Sequence, residues 1–431
     1  MPQWLKTSGP DFETAFSALL SKSREEKSDV DGVVAGILAA VKEAGDAAVI
    51  GYTEKFDRLK LSPENLRFSD EEISQARAAC DPALVKIMEE AVSRIRVYHE
   101  KQMPSDLRYE DDAGVTLGYR WTAVQSAGLY VPGGTAALFS SVLMNAVPAR
   151  VAGVSRLVVT LPTPGGATNP SMLTACSIAG IDEVFRIGGA QAIGALAYGT
   201  ASINPVDVIV GPGNAYVASA KKQVYGTVGI DMIAGPSEVT VVADGQNNPD
   251  WIAADLLAQA EHDVSSQSIL ITDDAAFGER VNEAIDAQLV TLEREKTARA
   301  SWDQHGAIIV VETLDQAVGL VDLIAPEHLE LAVENPDTLS DRIRNAGAIF
   351  LGRHTPEAIG DYIAGPSHVL PTSGTARFSS GLSVMDFLKR TSLIGCTADS
   401  LRSVAHSAVT MADAEDLSAH ARSVSIRLNM E

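Results

Sequence analysis

The run VIVGPGNAY at residues 208–216 joins a short apolar segment to a glycine-rich turn. Three consecutive β-branched residues predict a buried strand, and the glycines after them predict a tight turn that opens a helix. The run matches only half of the dinucleotide-binding pattern G-x-G-x-x-G, because Tyr216 stands where the third glycine is required. Asp231 lies twenty residues after Gly211, where an acid can bind a ribose, but one acid at one spacing is weak support. The run therefore predicts an α/β fold without establishing a conventional Rossmann cofactor site.

Similar apolar runs recur on both sides of this turn, with helical patterns between most of them. The further candidate strands are residues 157–161, 184–187, 239–242, 269–272, 308–311 and 349–351. Strands that alternate with helices predict parallel sheets covered by helices on both faces. Ligands of such sheets bind beyond the carboxyl ends of the strands, so we expect the site there.

The N-terminal third is predicted to be helical. Apolar residues recur at helical spacing over residues 33–41. Ser69 and Glu72 have the spacing of a capping box, and Asp81 before a proline predicts the start of a long helix that ends near residue 99.

Two heptapeptides are nearly identical. Residues 233–239 are IAGPSEV and residues 363–369 are IAGPSHV, so six of seven positions agree. A duplicated α/β half accounts for this better than a chance match of glycine-proline turns. From about residue 381 the pattern returns to helix with little core of its own, which predicts packing on another domain or another subunit.

Composition excludes several classes of partner. The chain has 431 residues and a net charge of -22, which argues against nucleic acid and anionic membrane surfaces. Its cysteines, Cys80, Cys176 and Cys396, are too far apart to form a C-x-x-C metal site or a disulfide framework. No signal peptide is recognisable in residues 1–10, and the most apolar stretch, 142–162, contains arginines and a proline. We therefore expect a cytoplasmic protein.

The motifs of several enzyme classes are missing. The sequence contains no P-loop G-x-x-x-x-G-K-[ST] and no nucleophile elbow G-x-S-x-G. The pair His99-Glu100 lacks the second histidine of a zincin, because Met103 follows at that position.

Four segments carry residues suited to metal or acid/base chemistry. Gln259 and His262 are three residues apart and could offer an oxygen and a nitrogen to one metal ion, although on spacing alone a histidine favoured by the dipole at a helix C-terminus is the better explanation. Glu327 and His328 follow a proline, which predicts the first turn of a helix, and they form either a dipole-favoured pair or an acid/base pair. Asp361 precedes the second Gly-Pro-Ser turn and is either a metal ligand or an Asx-turn residue.

The C-terminal segment adds a carboxylate and an imidazole. His420 comes five residues after Glu415 on a predicted terminal helix, which suggests a site completed when this tail docks. Gln259, His262, Asp361 and His420 would together make a nitrogen and oxygen set without a thiolate, and such a set suits zinc.

Taken with the glycine turns, these segments resemble the histidinol dehydrogenase family over nearly the whole chain. The segments that carry the resemblance are GLYVPGG at 128–134, GGAQA at 188–192, GPGNAYV at 211–217, AGPSEV at 234–239, QAEH at 259–262, APEHL at 325–329 and the run 365–383. Each alone is unspecific, but their order and spacing together are highly specific.

The resemblance implies two incomplete Rossmann-like domains with small helical N- and C-terminal elements, in a homodimer. It implies an N-terminal helical element at 1–25, a first Rossmann-like domain at 26–128 and 239–380, a second at 129–238, and a helical tail at 381–431 that packs on the partner subunit. Zinc, one ion per subunit, would be held by Gln259, His262, Asp361 and the partner's His420. NAD would contact Tyr130, Gln191 and Asn214. L-histidinol would contact Ser237, Gln259, His262, His328, Asp361, Glu415 and His420. Asp416 departs from the family, which more often has glycine there.

The resemblance also implies a four-electron oxidation in which His328 is the base and Glu327 activates water for the second step. No cysteine falls in any of the motifs, so a thiolate route is not expected. Three alternatives stay open: the same fold acting on another small polar alcohol, a zinc hydrolase without NAD, and a non-catalytic metal-binding protein.

Overall fold

The computed structural model describes residues 1–22, 30–132 and 138–429. The strands are β1 (Gln3–Lys6), β2 (Leu107–Glu110), β3 (Thr116–Ala123), β4 (Ser126–Tyr130), β5 (Arg156–Thr160), β6 (Glu183–Phe185), β7 (Val208–Val210), β8 (Gly229–Ile230), β9 (Glu238–Ala243), β10 (Gln267–Thr272), β11 (Ala307–Val310), β12 (His328–Ala332), β13 (Ala348–Leu351) and β14 (Leu388–Gly395). The α-helices are α1 (Phe12–Lys22), α2 (Asp31–Ala44), α3 (Asp46–Asp57), α4 (Asp70–Ala79), α5 (Pro82–Glu100), α6 (Phe139–Ala152), α7 (Pro170–Ile178), α8 (Gly189–Tyr198), α9 (Ala215–Val224), α10 (Pro249–Ala260), α11 (Ala275–Leu289), α12 (Glu295–His305), α13 (Asp315–Ile324), α14 (Pro336–Ser340), α15 (Glu357–Tyr362), α16 (Ala398–Ala414) and α17 (Ser418–Ser425).

Two parallel sheets form the framework, as the alternating pattern predicts. The larger has the order β1-β11-β10-β9-β12-β13, and the smaller has the order β6-β5-β4-β7-β8. Numbered along the chain and without β1, the strands of both sheets follow the order 3-2-1-4-5. The two similar heptapeptides each follow the fifth strand of one sheet. The shared order and this placement support the internal duplication.

Helices α2 to α5 belong to the half of the molecule that contains the smaller sheet, whereas α1 packs on the larger sheet. Val34, Leu38 and Val41 of α2 are buried in one core with Ile193 of α8, and α5 is buried in another core with strands β4 and β5. This grouping differs from the expected one, in which residues 26–128 join 239–380. Helical periodicity identifies the apolar face of α2 but does not indicate which sheet will cover it.

Both chain ends contain the expected helices, and each also contributes a strand that was not predicted. The N-terminus begins with strand β1, which pairs in parallel with β11 at the edge of the larger sheet before α1 begins. The C-terminal segment begins with β14, which joins β3 and β2 in a small antiparallel sheet.

Helices α16 and α17 are poorly covered within one chain, as the sequence predicts. Their buried residues are Ser400, Ala405 and Ala421, whereas Met411 and Leu417 are exposed. Within residues 1–22, 30–132 and 138–429, no helix is both long and apolar enough to cross a membrane.

The prediction of a helix at Glu327 and His328 is wrong. Ala325 ends α13 with a left-handed φ of 49°, and His328 then begins the fully buried strand β12. Strand β12 pairs with β9 on one side and β13 on the other. Pairing and burial on both sides outweigh the local preference that the proline gives for a helix start.

Candidate active site

A cavity of about 340 Å³ lies between the two sheets. From the smaller sheet it receives the Gly211–Gly213 turn, which follows the carboxyl end of β7. From the larger sheet it receives side chains just before or at the amino ends of strands, contrary to the expected carboxyl ends. Its lining includes Ser237, Gln259, His262, Glu327, His328 and Asp361. One cavity therefore collects predicted residues from four separate segments.

His328 is the central imidazole of this cavity. Its side chain is buried, and Nδ1 lies 3.1 Å from the carbonyl oxygen of Glu238. Nε2 has no hydrogen-bond partner in the described structure and lies 3.9 Å from Asp361 Oδ1. Burial lowers the pKa of His328 to about 3, against the opposing effect of the Glu238 carbonyl. The ring is therefore neutral at physiological pH, and with the Nδ1 proton donated to Glu238, Nε2 is free to accept a proton.

Glu327 is held beside this ring by the backbone of β9. Its Oε2 accepts the Glu238 N–H at 2.9 Å and lies 3.8 Å from His328 Nδ1. Burial raises the pKa of Glu327 well above its usual value, and the nearby charges of Glu238 and Asp361 raise it further. A carboxyl group with a raised pKa is suited to proton transfer near neutral pH.

One observation supports a cation among the residues expected to bind zinc. Gln259 is fully buried, and neither its amide oxygen nor its amide nitrogen has a partner among the described residues. It shares the cavity with His262 and Asp361. Burial raises the pKa of Asp361, and nearby His262 opposes this shift. An unpartnered buried oxygen beside an imidazole and a carboxylate is a suitable set for zinc.

Glu357 is a third carboxylate beside His328, and it was not predicted from the sequence. It is buried, and its Oε1 lies 3.7 Å from His328 Nδ1. Together with His328 and Asp361 it forms a group whose potential ligand atoms all lie within 4.8 Å of one another. It lies one helical turn before Asp361 in the short helix α15, and no motif marks it.

His368 is also missing from the sequence-based site. Its Nε2 lies 3.1 Å from Ser141 Oγ, and its Nδ1 lies 3.1 Å from the Asp361 carbonyl oxygen. Burial lowers its pKa to about 4, against the opposing effect of that carbonyl. The two similar heptapeptides differ only at this position, where Glu238 is the counterpart of His368. That difference was a usable signal, because both residues contact the acid/base and metal-binding groups.

The residues expected to contact NAD lie around the smaller sheet. The buried Tyr130 hydroxyl accepts the Gly189 N–H at 3.1 Å, and burial raises the pKa of Tyr130 to about 12. Gln191 is buried, and its Oε1 has no partner within the described ranges. Asn214 caps α9 and lines a second cavity of about 380 Å³.

This second cavity adjoins the first, since Gly213, Gly235 and Ser237 line both. A Cβ at Gly213 would lie 2.4 Å from the Val217 side chain, and one at Gly235 would lie 2.1 Å from Ser373 Oγ, so close packing within the protein requires both glycines. Of the three residues expected to contact NAD, Asn214 lines this cavity, whereas Tyr130 and Gln191 line neither cavity. The unpaired buried acceptor of Gln191 suits a polar ligand such as a dinucleotide.

Comparison with known proteins identifies the family. The family model described as histidinol dehydrogenase matches residues 20–428. This chain belongs to the histidinol dehydrogenase family. It is 62% identical to histidinol dehydrogenase of Rhodospirillum rubrum over 430 residues, covering 100% of this chain and 99% of that protein. It is 61% identical to the Ruegeria pomeroyi enzyme, covering 100% of this chain and 99% of the relative. The crystal structure of histidinol dehydrogenase from Elizabethkingia anophelis superposes with a TM-score of 0.94 at 36% identity, covering 99% of this chain and 98% of that one.

Family membership makes the chain an oxidoreductase, as the sequence predicts. Two of the residues expected in its site, Glu415 and His420, lie elsewhere in the single chain. Both are exposed and neither lines either cavity. They also lie on different helical segments, since Glu415 caps the end of α16 and His420 belongs to α17. Their role in a histidinol dehydrogenase site stays a prediction.

The departure from the family at Asp416 has a structural explanation. Asp416 has a φ of 59°, in the left-handed region that glycine adopts most readily. Aspartate tolerates this conformation better than most residues, because its short side chain can hydrogen-bond to the local backbone. The turn between α16 and α17 is therefore kept without the glycine.

Proposed function

We propose that the protein oxidises L-histidinol to L-histidine in two successive hydride transfers to NAD, as the last steps of histidine biosynthesis. The balanced reaction consumes one histidinol, one water and two NAD, and it yields histidine, two NADH and three protons. The observation that carries the proposal is that one cavity is lined both by His328, whose Nε2 has no partner among the described residues, and by Gln259, whose amide has none.

Gln259, His262 and Asp361 would hold zinc, which when bound would orient the imidazole and amine of the substrate. Tyr130, Gln191 and Asn214 would hold NAD, the acceptor of the hydride. The Gly211–Gly213 turn lies between the two groups of residues and borders both cavities.

His328 would act as the base in both oxidations. Its neutral Nε2 takes the proton of the alcohol while hydride leaves the carbon, and this gives the aldehyde. The protonated ring would be stabilised by Glu327, Glu357 and Asp361, each with a carboxylate oxygen within 4 Å of a ring nitrogen, at 3.8, 3.7 and 3.9 Å.

Glu327 would act between the two oxidations. It takes a proton from the water that adds to the aldehyde. His328, after it has released the first proton to solvent, takes the hydroxyl proton of the hydrate during the second hydride transfer. The thiols take no part in this scheme. Burial raises the pKa of Cys176 to about 12, and no cysteine lines either cavity.

The proposal is tested by the ratio of NADH formed to histidinol consumed. We expect about two NADH per histidinol, loss of turnover on zinc chelation and recovery on adding zinc. A folded, zinc-loaded protein that makes no NADH from histidinol would contradict this substrate. NADH formation from a different small polar alcohol would support the alternative dehydrogenase, and turnover without NAD would support a hydrolase.

The proposal includes a homodimer in which Glu415 and His420 of one subunit complete the site of the other. The exposed, poorly covered α16 and α17 support this arrangement. Mixed dimers provide the test, because His420→Ala and His328→Asn would place both defects in one site and leave the other intact. We expect two inactive variants to regain activity when refolded together. Absence of any recovery in a confirmed mixed dimer would contradict the shared site.

A further inference from the structure

A buried ion pair contacts the Gly211–Gly213 turn, whose Gly213 lines both cavities. Lys221 of α9 and Asp231, which follows β8, have side chains only 2% and 0% exposed, and Lys221 Nζ contacts Asp231 Oδ1 directly. Removing two charges from water is unfavourable unless further hydrogen bonds compensate the cost. The acid/base and metal-binding groups described above make no use of either residue, so the pair needs another explanation.

The further hydrogen bonds of this pair both go to the backbone of Gly211. Lys221 Nζ donates to the Gly211 carbonyl at 2.9 Å, and the Gly211 N–H donates to Asp231 Oδ2 at 2.8 Å. Gly211 has a φ of 109°, and a Cβ there would lie 2.2 Å from the Tyr130 carbonyl oxygen. The ion pair therefore holds Gly211 in a left-handed conformation and close to the Tyr130 carbonyl, and only glycine permits both.

This geometry also accounts for the spacing of Asp231 from Gly211. Twenty residues separate them, as for the acid that binds a ribose in dinucleotide folds. Both carboxylate oxygens of Asp231 are instead engaged inside the protein, one by Lys221 and one by Gly211. Asp231 therefore stabilises the Gly211–Gly213 turn through its hydrogen bond with Gly211.

The turn connects this pair to the expected dinucleotide residues. Gly211 is followed by Gly213, which lines both cavities, and by Asn214, which lines the second cavity. Asn214 is also the N-cap of α9, the helix that carries Lys221. The pair thus links the last turn of α9 to the Gly211–Gly213 turn and to the end of β8.

We infer that Lys221 and Asp231 are positioning residues for the dinucleotide, because they fix the Gly211–Gly213 turn against Tyr130 and thereby place Asn214. The inference rests on the proposed function, which assigns Tyr130 and Asn214 to NAD. Gly211 and Asp231 also line the first cavity, but the residues assigned to histidinol come mainly from the larger sheet. Loss of the pair should therefore weaken dinucleotide binding more than histidinol binding.

The test compares Lys221→Met, Asp231→Asn and the double variant with the wild-type protein. Each single variant leaves one unpaired buried charge and is prone to misfold, whereas the double variant is neutral. In the double variant the amide oxygen introduced at position 231 still accepts the Gly211 N–H, but the Gly211 carbonyl loses its donor. Glu183→Gln is the matched control, because it breaks the Arg156–Glu183 ion pair at the amino ends of β5 and β6, away from the turn.

Affinity for NADH is measured by its fluorescence, and affinity for histidinol by calorimetry on the zinc-loaded protein. We expect the double variant to bind NADH about tenfold more weakly or worse, since small displacements of a positioning group have effects of this size. Its affinity for histidinol, and both affinities of Glu183→Gln, should stay within about twofold of wild type.

Unchanged NADH affinity in the folded double variant would overturn the inference. An equal loss of both affinities would also overturn it, because the pair would then support the fold generally. A wild-type protein that binds histidinol but not NADH would overturn the proposed use of NAD together with this inference, and the wild-type measurement distinguishes that case.

Discussion

Replacement of Gln259 by methionine should stabilise the metal-free protein and remove most of the stability that zinc adds. Gln259 is fully buried near the end of α10, and neither polar atom of its amide has a partner within the described structure. Burying an amide without hydrogen bonds costs about 1–3 kcal/mol in proteins. Methionine has a similar size and helix propensity but no amide, so it removes that cost. We expect the metal-free variant to be more stable by about 1–3 kcal/mol.

Zinc should offset this gain in stability, because it stabilises the wild-type protein much more than the variant. Loss of a residue that only supports a metal ligand costs about 10–100-fold in affinity, so loss of a direct ligand should cost about 100-fold or more. At a zinc concentration about 100 times the wild-type Kd, binding adds about 2.7 kcal/mol to wild-type stability. The variant would gain less than about 0.5 kcal/mol under the same conditions.

The assay is chemical denaturation of both proteins, once with a chelator and once with buffered zinc. Asn247→Leu is the control, because Asn247 is a buried amide whose Nδ2 donates to the Ala332 carbonyl at 2.6 Å. It should lose stability equally with and without zinc. A Gln259→Met protein that is less stable than wild type in chelator, and that binds zinc as tightly, would refute the reasoning.

Three further outcomes follow from the site and its surroundings. His328→Asn should slow both oxidations by about 10²–10⁴-fold. Glu327→Gln should slow mainly the oxidation of supplied aldehyde, as measured in separate half-reactions. Equal losses in both half-reactions for Glu327→Gln would contradict the division of roles. Cys396 is exposed, whereas Cys80 and Cys176 are buried. A thiol reagent should therefore label one thiol rapidly in the native protein without loss of NADH formation. Inactivation by this label would contradict a mechanism without thiol chemistry. Gly211→Ala should lower the free energy of unfolding by more than about 1 kcal/mol, because its φ and its contact with the Tyr130 carbonyl exclude a Cβ; unchanged denaturation would show that the turn can relax.

The local pattern of the sequence was sufficient for the α/β class and for much of the secondary structure. Each of the seven predicted apolar runs corresponds to a strand of one of the two parallel sheets. The capping box at Ser69 and Glu72 opens α4, and Asp81 caps α5 as predicted. These features depend on residues within a few positions of one another, so the sequence records them directly.

Only some residues of the candidate site could be predicted from the sequence. Gln259, His262 and Asp361 stood out by residue type and spacing, and the structure brings them to one cavity. Glu357 was missed because an isolated glutamate has no distinctive neighbours in sequence, and His368 was missed although the difference between the two heptapeptides marks it.

Tertiary structure alone decided how the halves meet and what state each group adopts. The backbone of Glu238 orients His328, ninety positions away, and also binds Glu327. The low pKa of His328 and the raised pKa of Glu327 both arise first from burial. Burial and long-range pairing belong to the packed sheets, because they depend on which strands become neighbours. The sequence could therefore name the chemical groups and their class of fold, while their charge states and mutual distances were set only when β9 paired with β12.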